Sequence, residues 1–141
     1  MSYKVLCNTE PMARYLAMAD GQIDVSVWHG DETDPALLQE AEGLWLMGHP
    51  LVDGAVMDSM PNLRVISNTG VGVDHIILAD AGARGIPVGN TPGFVDGATA
   101  DMTFALMMAI GRNLVQGVNH AHSTAFTHYD PFILNGHEIH S

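Results

Sequence analysis

Short apolar runs recur along the first ninety residues, separated by polar and turn-forming stretches. Tyr3 to Cys7, Ile23 to Trp28, Leu44 to Met47, Leu63 to Ser67 and Ile86 to Gly89 each read as a strand. They are continuous runs, not alternating ones, which is the pattern of strands covered on both faces. Helical signals fill the gaps. Pro11 to Ala19 predicts a helix with Thr9 as its cap and Pro11 in the first turn, closed by Asp20-Gly21. Asp34-Pro35 opens a second helix that runs through Glu40, with Asp34 as cap. Val52 to Met60 predicts a third, broken by Pro61-Asn62, and Leu78 to Arg84 a fourth, with Gly85 behind it. Strands alternating with helices at this spacing predict an α/β, doubly wound parallel sheet of five strands. Pro87 suggests an edge position or a strand start for the last one. No internal repeat or low-complexity segment interrupts the pattern.

Beyond Asn90-Thr91-Pro92-Gly93 the texture changes. Ala98 to Gly117 predicts a long helix, about 30 Å at 1.5 Å per residue. Its centre, Phe104 to Ile110, is apolar on every side. Such a helix is expected to be buried against more than one surface, and one five-stranded sheet covers one of its faces. Another domain or subunit is expected on the other. This divides the chain into 1–97, a helix over 98–120 and a tail over 121–141. The tail region from His120 onward holds five of the eight histidines and has no clear period. His120-x-His122 and His137-x-x-His140 have spacings that can seed a metal site. No cysteine or carboxylate set completes a shell, so the expectation is a polar linker and no metal.

Charge narrows the partners. The formal net charge is −11 over 141 residues, with five basic residues. Such a surface repels phosphate backbones and anionic membranes, so neither nucleic acid nor membrane is expected as a partner. A carboxylate ligand would have to be held by local dipoles or by an arginine from elsewhere. Cys7 is the only cysteine, so no intrachain disulfide forms, and its place in the first apolar run suits a small buried side chain. The N-terminus lacks the basic head and long apolar run of a signal peptide. The longest apolar run, Phe104 to Ile110, is too short to span a bilayer. The expected location is cytoplasmic.

The stretch Ser67-Asn68-Thr69-Gly70-Val71-Gly72-Val73-Asp74 is the centre of the sequence. It follows a buried strand, and two glycines let the backbone turn sharply with φ above zero. Backbone amides at such a turn can face an anion just beyond the carboxyl ends of the strands. One reading is thus a small-anion site built from the amides of Val71 and Gly72. The other is an ordinary strand-to-helix turn. It is not the dinucleotide fingerprint Gly-x-Gly-x-x-Gly, because the sixth position is His75.

An ordered set of segments resembles the D-isomer-specific 2-hydroxyacid dehydrogenase family. The set comprises Met60 to Ser67, Thr69 to Ile76, Ala83 to Gly93, Ala98-Thr99-Ala100-Asp101 and Ala105-Leu106-Met107-Met108. It covers Pro61 to Gly117 strongly and the residues before it weakly. The resemblance implies a two-domain enzyme with a flavodoxin-like substrate domain, a long crossing helix and a Rossmann-type domain for NAD or NADP. The glycine fingerprint of that domain is expected just beyond Ser141, so the chain is expected to be an N-terminal portion that binds no cofactor tightly by itself. The reaction implied is hydride transfer between a nicotinamide and C2 of a small 2-hydroxy or 2-keto acid. The family's catalytic arginine and Glu–His pair have no match here, Arg112 included, so no catalytic residue is assigned to this chain. Carried over residue by residue, the resemblance gives Val71 and Gly72 as carboxylate contacts. It gives Met47, Gly48 and His49 as a wall of the substrate pocket and Thr99 as a cofactor contact. At Ile77 the family usually has an acidic residue. The crossing helix implies a homodimer through 98–120, centred on Phe104, Met107, Met108 and Leu114.

Two other readings compete with this one. A phospho-accepting signalling domain shares the strand order, but it needs acidic residues after the first strand and an aspartate ending the third. Here those places hold Cys7-Asn8-Thr9-Glu10 and Met47-Gly48. A non-catalytic binding or assembly module of flavodoxin-like fold is the alternative that composition leaves open.

Overall fold

The computed structural model describes residues 2–139, which fall into two compact units divided between Gly93 and Phe94. In the first, β1 (Tyr3–Cys7), α1 (Ala13–Met18), β2 (Ile23–Val27), a 3-10 turn at Gly30–Glu32 and α2 (Pro35–Glu40) come first. Then follow β3 (Gly43–Leu46), α3 (Gly54–Asp58), β4 (Val65–Asn68), α4 (Leu78–Ala83) and β5 (Val88–Gly89). The five strands form one sheet in the order β2-β1-β3-β4-β5, and every neighbouring pair is parallel. This is the flavodoxin-like order. β5, with Pro87 ahead of it, lies at an edge as expected.

The register lines Leu6, Leu44, Ile66 and Val88 across one face. That face carries the core: Leu6, Leu44, Leu46 and Ile66 pack with Leu37 and Leu38 of α2, Met57 of α3 and Ala81 of α4. The opposite face, through Val5, Gly43 and Val65, is only partly covered. α1 contributes Tyr15 there, edge-on to Trp45 at 5.9 Å, while Val65 stays 43% exposed. Burial on both faces was expected from the continuous apolar runs; the first unit supplies only one helix to the second face. Cys7 is fully buried, and burial pushes its thiol pKa up, so it acts as a small apolar side chain.

Helix caps sort the expected boundaries. Asp34 accepts from Ala36 N at 2.9 Å with Pro35 at the first position of α2, as the sequence predicts. Asp53 accepts from Val56 N at 3.0 Å, which starts α3 after Val52 rather than at it. Thr9 does not cap α1. That helix begins at Ala13 after Met12, with no side-chain cap. Thr9 stands four positions ahead, whereas a cap bonds the amides two or three positions on. The chain is held to the sheet as far as Asn8, whose amide reaches Trp45 O at 3.4 Å. Ile77 occupies the cap position of α4 and offers no acceptor, so the acidic residue expected there by resemblance has no substitute. Arg84 ties α4 to α3 by two bonds to the Asp58 carboxylate, at 2.7 and 2.8 Å.

The second unit contains α5 (Asp96–Gly111) and α6 (Leu114–Ala121). The single helix expected over 98–117 is therefore revised: it starts two residues earlier and breaks at Arg112-Asn113. Asn113 adopts the left-handed conformation, φ 51° and ψ 36°, which asparagine tolerates better than most residues. Tertiary contact stabilises the break. His137 N donates to Gly111 O at 2.6 Å, and Gly136, at φ 64°, passes so close that a Cβ there would stand 2.8 Å from Arg112 Cα. Among the described residues the tail forms no helix or strand after α6, in keeping with its lack of period, yet it docks on the helix end at 136–137. The apolar side chains of α5 are exposed, Phe104 at 67% and Ile110 at 78%.

Candidate functional site

The carboxyl ends of the parallel strands converge on one edge of the sheet, and the connection reverses direction between β1 and β3. Crevices at such a reversal are where α/β sheets bind ligands. At this reversal Asn8 ties the ends of β1 and β3 together. Its side chain donates to Met47 O and accepts from Met47 N, both at 2.7 Å, and so continues the β1–β3 ladder by one side-chain rung. Gly48 then turns the chain at φ 89°, a conformation that favours glycine, and delivers His49 to the surface. His49 lies edge-on to His75, ring centres 5.0 Å apart. His75 is buried, and neither ring nitrogen has a hydrogen-bond partner among the described residues.

On the neighbouring strand, the chain leaves β4 through Thr69-Gly70-Val71-Gly72. The loop is anchored at its start: Thr69 N donates to Leu46 O at 2.9 Å, and Trp45 Nε1 donates to Thr69 Oγ1 at 2.8 Å. It turns without positive φ at either Gly70 or Gly72, contrary to the reason given for glycine from sequence. Space constrains Gly72 instead, since a Cβ there would meet Asp74 Oδ1 at 3.2 Å.

The four carbonyls of the loop are all engaged. Thr91 Oγ1 donates to Thr69 O at 2.8 Å. Asn68 Nδ2 donates to Gly70 O at 2.9 Å and to Gly72 O at 2.8 Å. Thr91 N also reaches Gly70 O, at 3.3 Å, and Asn90 Nδ2 donates to Val71 O at 2.8 Å. The amides of Gly70, Val71 and Gly72 meet no acceptor among the described residues. Three of the five basic side chains pair with carboxylates elsewhere, Lys4 with Asp24, Arg64 with Glu42 and Arg84 with Asp58, and Arg14 bonds the Tyr15 hydroxyl.

Sequence reasoning thus placed Val71 and Gly72 on one loop and Met47, Gly48 and His49 on the next, and adjacent strands bring the two together. Thr99 belongs to the second unit, on the first turns of α5. Its amide is taken by Val95 O at 2.9 Å and its carbonyl by Thr103 Oγ1 at 2.8 Å. Asn8, Asn68, Asn90 and Thr91 were missed. Their signal was available: Asn8, Asn68 and Asn90 each end or directly follow a strand on the ligand edge. Of the histidine pairs in the tail, His140 lies outside the described residues, and among those described no three metal-binding side chains cluster.

Residues 4–129 match the model of the D-isomer specific 2-hydroxyacid dehydrogenase catalytic domain. The chain is 34% identical to a glyoxylate reductase of Pyrococcus horikoshii over 122 residues, which is 83% of this chain and 36% of that protein. Among solved structures, the TT0316 protein of Thermus thermophilus superposes with a TM-score of 0.79 at 34% identity, over 94% of this chain and 44% of that one. An NADPH-dependent glyoxylate/hydroxypyruvate reductase of Sinorhizobium meliloti, solved with NADP and malonate, gives 0.70 at 25% identity, over 86% of this chain and 38% of that one. The chain thus spans well under half the length of each of these relatives.

Proposed function

Since the chain belongs to the D-isomer-specific 2-hydroxyacid dehydrogenase family, we propose that it forms the substrate-carboxylate site of an NAD(P)-dependent enzyme. That enzyme passes a hydride between the nicotinamide and C2 of a small 2-hydroxy or 2-keto acid. The observation that carries this reading is the run of unpartnered amides at Gly70, Val71 and Gly72, held by a loop whose carbonyls are all occupied. A run of unpartnered N–H groups suits an anion in a chain with five basic residues, three of them already paired with carboxylates. The wall at Met47, Gly48 and His49 bounds the other side of the ligand, one strand away.

The residues present do not fit a whole dinucleotide. No glycine-rich strand-turn-helix occurs in the sequence, Thr99 is the one assigned contact, and Asp96 places a negative charge in the first turn of α5. Thr99 is accordingly proposed only as an outlying contact to a cofactor whose phosphates are held elsewhere, and no hydride-transfer step is assigned to these 141 residues. Exposed apolar side chains on α5 and α6, among them Phe104, Met107, Met108 and Leu114, support a homodimer through this segment. No helix among the described residues is long and apolar enough to cross a membrane, and the lone buried Cys7 suits the cytoplasm.

Calorimetric or NMR titration with glycolate and with its neutral amide, glycolamide, tests the site. Glycolate is expected to bind and glycolamide not to. Equal behaviour of the two would remove the carboxylate reading. With NADH or NADPH the 141-residue chain is expected to reduce neither glyoxylate nor hydroxypyruvate, and measurable turnover would overturn the assignment of the chemistry to residues outside it.

A further inference from the structure

Which way a peptide amide points is decided by what holds its carbonyl. The unit is planar and trans, so the C=O of one residue and the N–H of the next point in opposite directions. In the loop after β4, Gly70 O is drawn to Asn68 Nδ2 and Thr91 N, which turns Val71 N–H the other way. Val71 O is drawn to Asn90 Nδ2, which turns Gly72 N–H away from Asn90. Thr69 O is held by Thr91 Oγ1, which sets Gly70 N–H. The amides that lack acceptors are the ones set by these donors.

We infer that Asn68 and Thr91 are positioning residues for the bound carboxylate, acting by holding the loop's carbonyls so that its amides stand free. This rests on the carboxylate reading above. Asn68 is suited to the task by both chemistry and cost. It is 2% exposed, and both neighbours of its Nδ2 are carbonyl oxygens, which only accept; this fixes the orientation of the side-chain amide. Its Oδ1 is buried with no partner among the described residues. A buried acceptor left unpaired is unfavourable. The arrangement makes sense if the two donated bonds serve the loop rather than the strand. Thr91 is independent support from beyond another strand: it sits 22 positions from Thr69 in sequence, yet it binds the first two carbonyls of the loop through its hydroxyl and its amide. Two strand ends therefore grip one turn from both sides.

The test is a ¹H–¹⁵N titration of the whole chain with glycolate, following the amides of Gly70, Val71 and Gly72. Thr91→Val keeps the side-chain shape and removes the hydroxyl, Thr91→Ser restores it, and Asn68→Leu removes both donated bonds. Wild type is expected to show saturable shifts at these amides. Thr91→Val is expected to bind about tenfold more weakly, with resonances of β1 and β2 unmoved, and Thr91→Ser to recover most of the affinity. Asn68→Leu is expected to bind more weakly still; should it fail to fold, the Thr91 pair decides. Wild-type binding that Thr91→Val leaves unchanged, or that Thr91→Ser weakens equally, would overturn the positioning role and leave the carboxylate site standing. Loop amides unmoved by glycolate in wild type would overturn both.

Discussion

Replacing Asn68 with aspartate changes one atom group and reverses its hydrogen-bonding sense. The native amide gives two N–H bonds to Gly70 O and Gly72 O. A protonated carboxyl group in its place has one O–H to give, so one bond is lost, at about 1 kcal/mol. An ionised carboxylate has none, and faces two carbonyl oxygens in a site that is 2% exposed. Desolvation and the facing dipoles then favour the neutral form, and a fully buried carboxyl can be raised by roughly three units above its usual value near 3.9. A pKa raised in the folded state leaves the variant's stability intact below the unfolded value. Stability is then lost as pH rises toward the folded value, at about 1.4 kcal/mol per unit. Asn68→Asp should therefore cost about 1 kcal/mol near pH 4 and roughly 3 kcal/mol more at pH 7. For a domain of this size that approaches the whole folding free energy. Urea denaturation of wild type and variant at both pH values measures it, with Asn68→Leu as a control whose deficit should not depend on pH. A deficit for Asn68→Asp that is the same at both pH values would refute the reasoning. It would mean that the side chain reaches water and that the loop is held by other means.

The cap assignments separate by mutation. Asp53→Ala should lower stability by about 1 kcal/mol, a drop of several degrees in Tm, whereas Thr9→Ala should move Tm very little, because Thr9 caps nothing. Assembly is tested on α5, where Met108 is 50% exposed. Sedimentation at micromolar concentration should find a dimer that Met108→Asp dissociates, and a monomer in both cases would remove the proposed interface.

Sequence alone indicated five parallel strands, the helices between them and a glycine turn after the fourth strand. These follow from local causes: apolar runs that must be buried, turn residues between them, and an Asp-Pro start such as that of α2. Which face those runs share was not legible in them: continuous apolar runs predicted cover on both faces, whereas the register gathers Leu6, Leu44 and Ile66 on one. Tertiary structure decided what those runs could not encode. The amide direction at Val71 and Gly72 depends on Asn68 and on Asn90 and Thr91, donors that meet only because β4 and β5 pair. Neither glycine of the loop takes a positive φ, and only Gly72 is short of space, because φ and spacing are set by the bonds the turn makes after folding. The end of α5 likewise resists local reading. Helical periodicity runs through Arg112 and Asn113, but the segment at Gly136 and His137 docks on the last turn and stabilises a left-handed residue there. Thr9 reads as a cap by composition and fails because Asn8 stays paired to β3. At the loop, at the helix break and at Asn8, a deciding partner lies far off in sequence, so its effect exists only once the chain has folded.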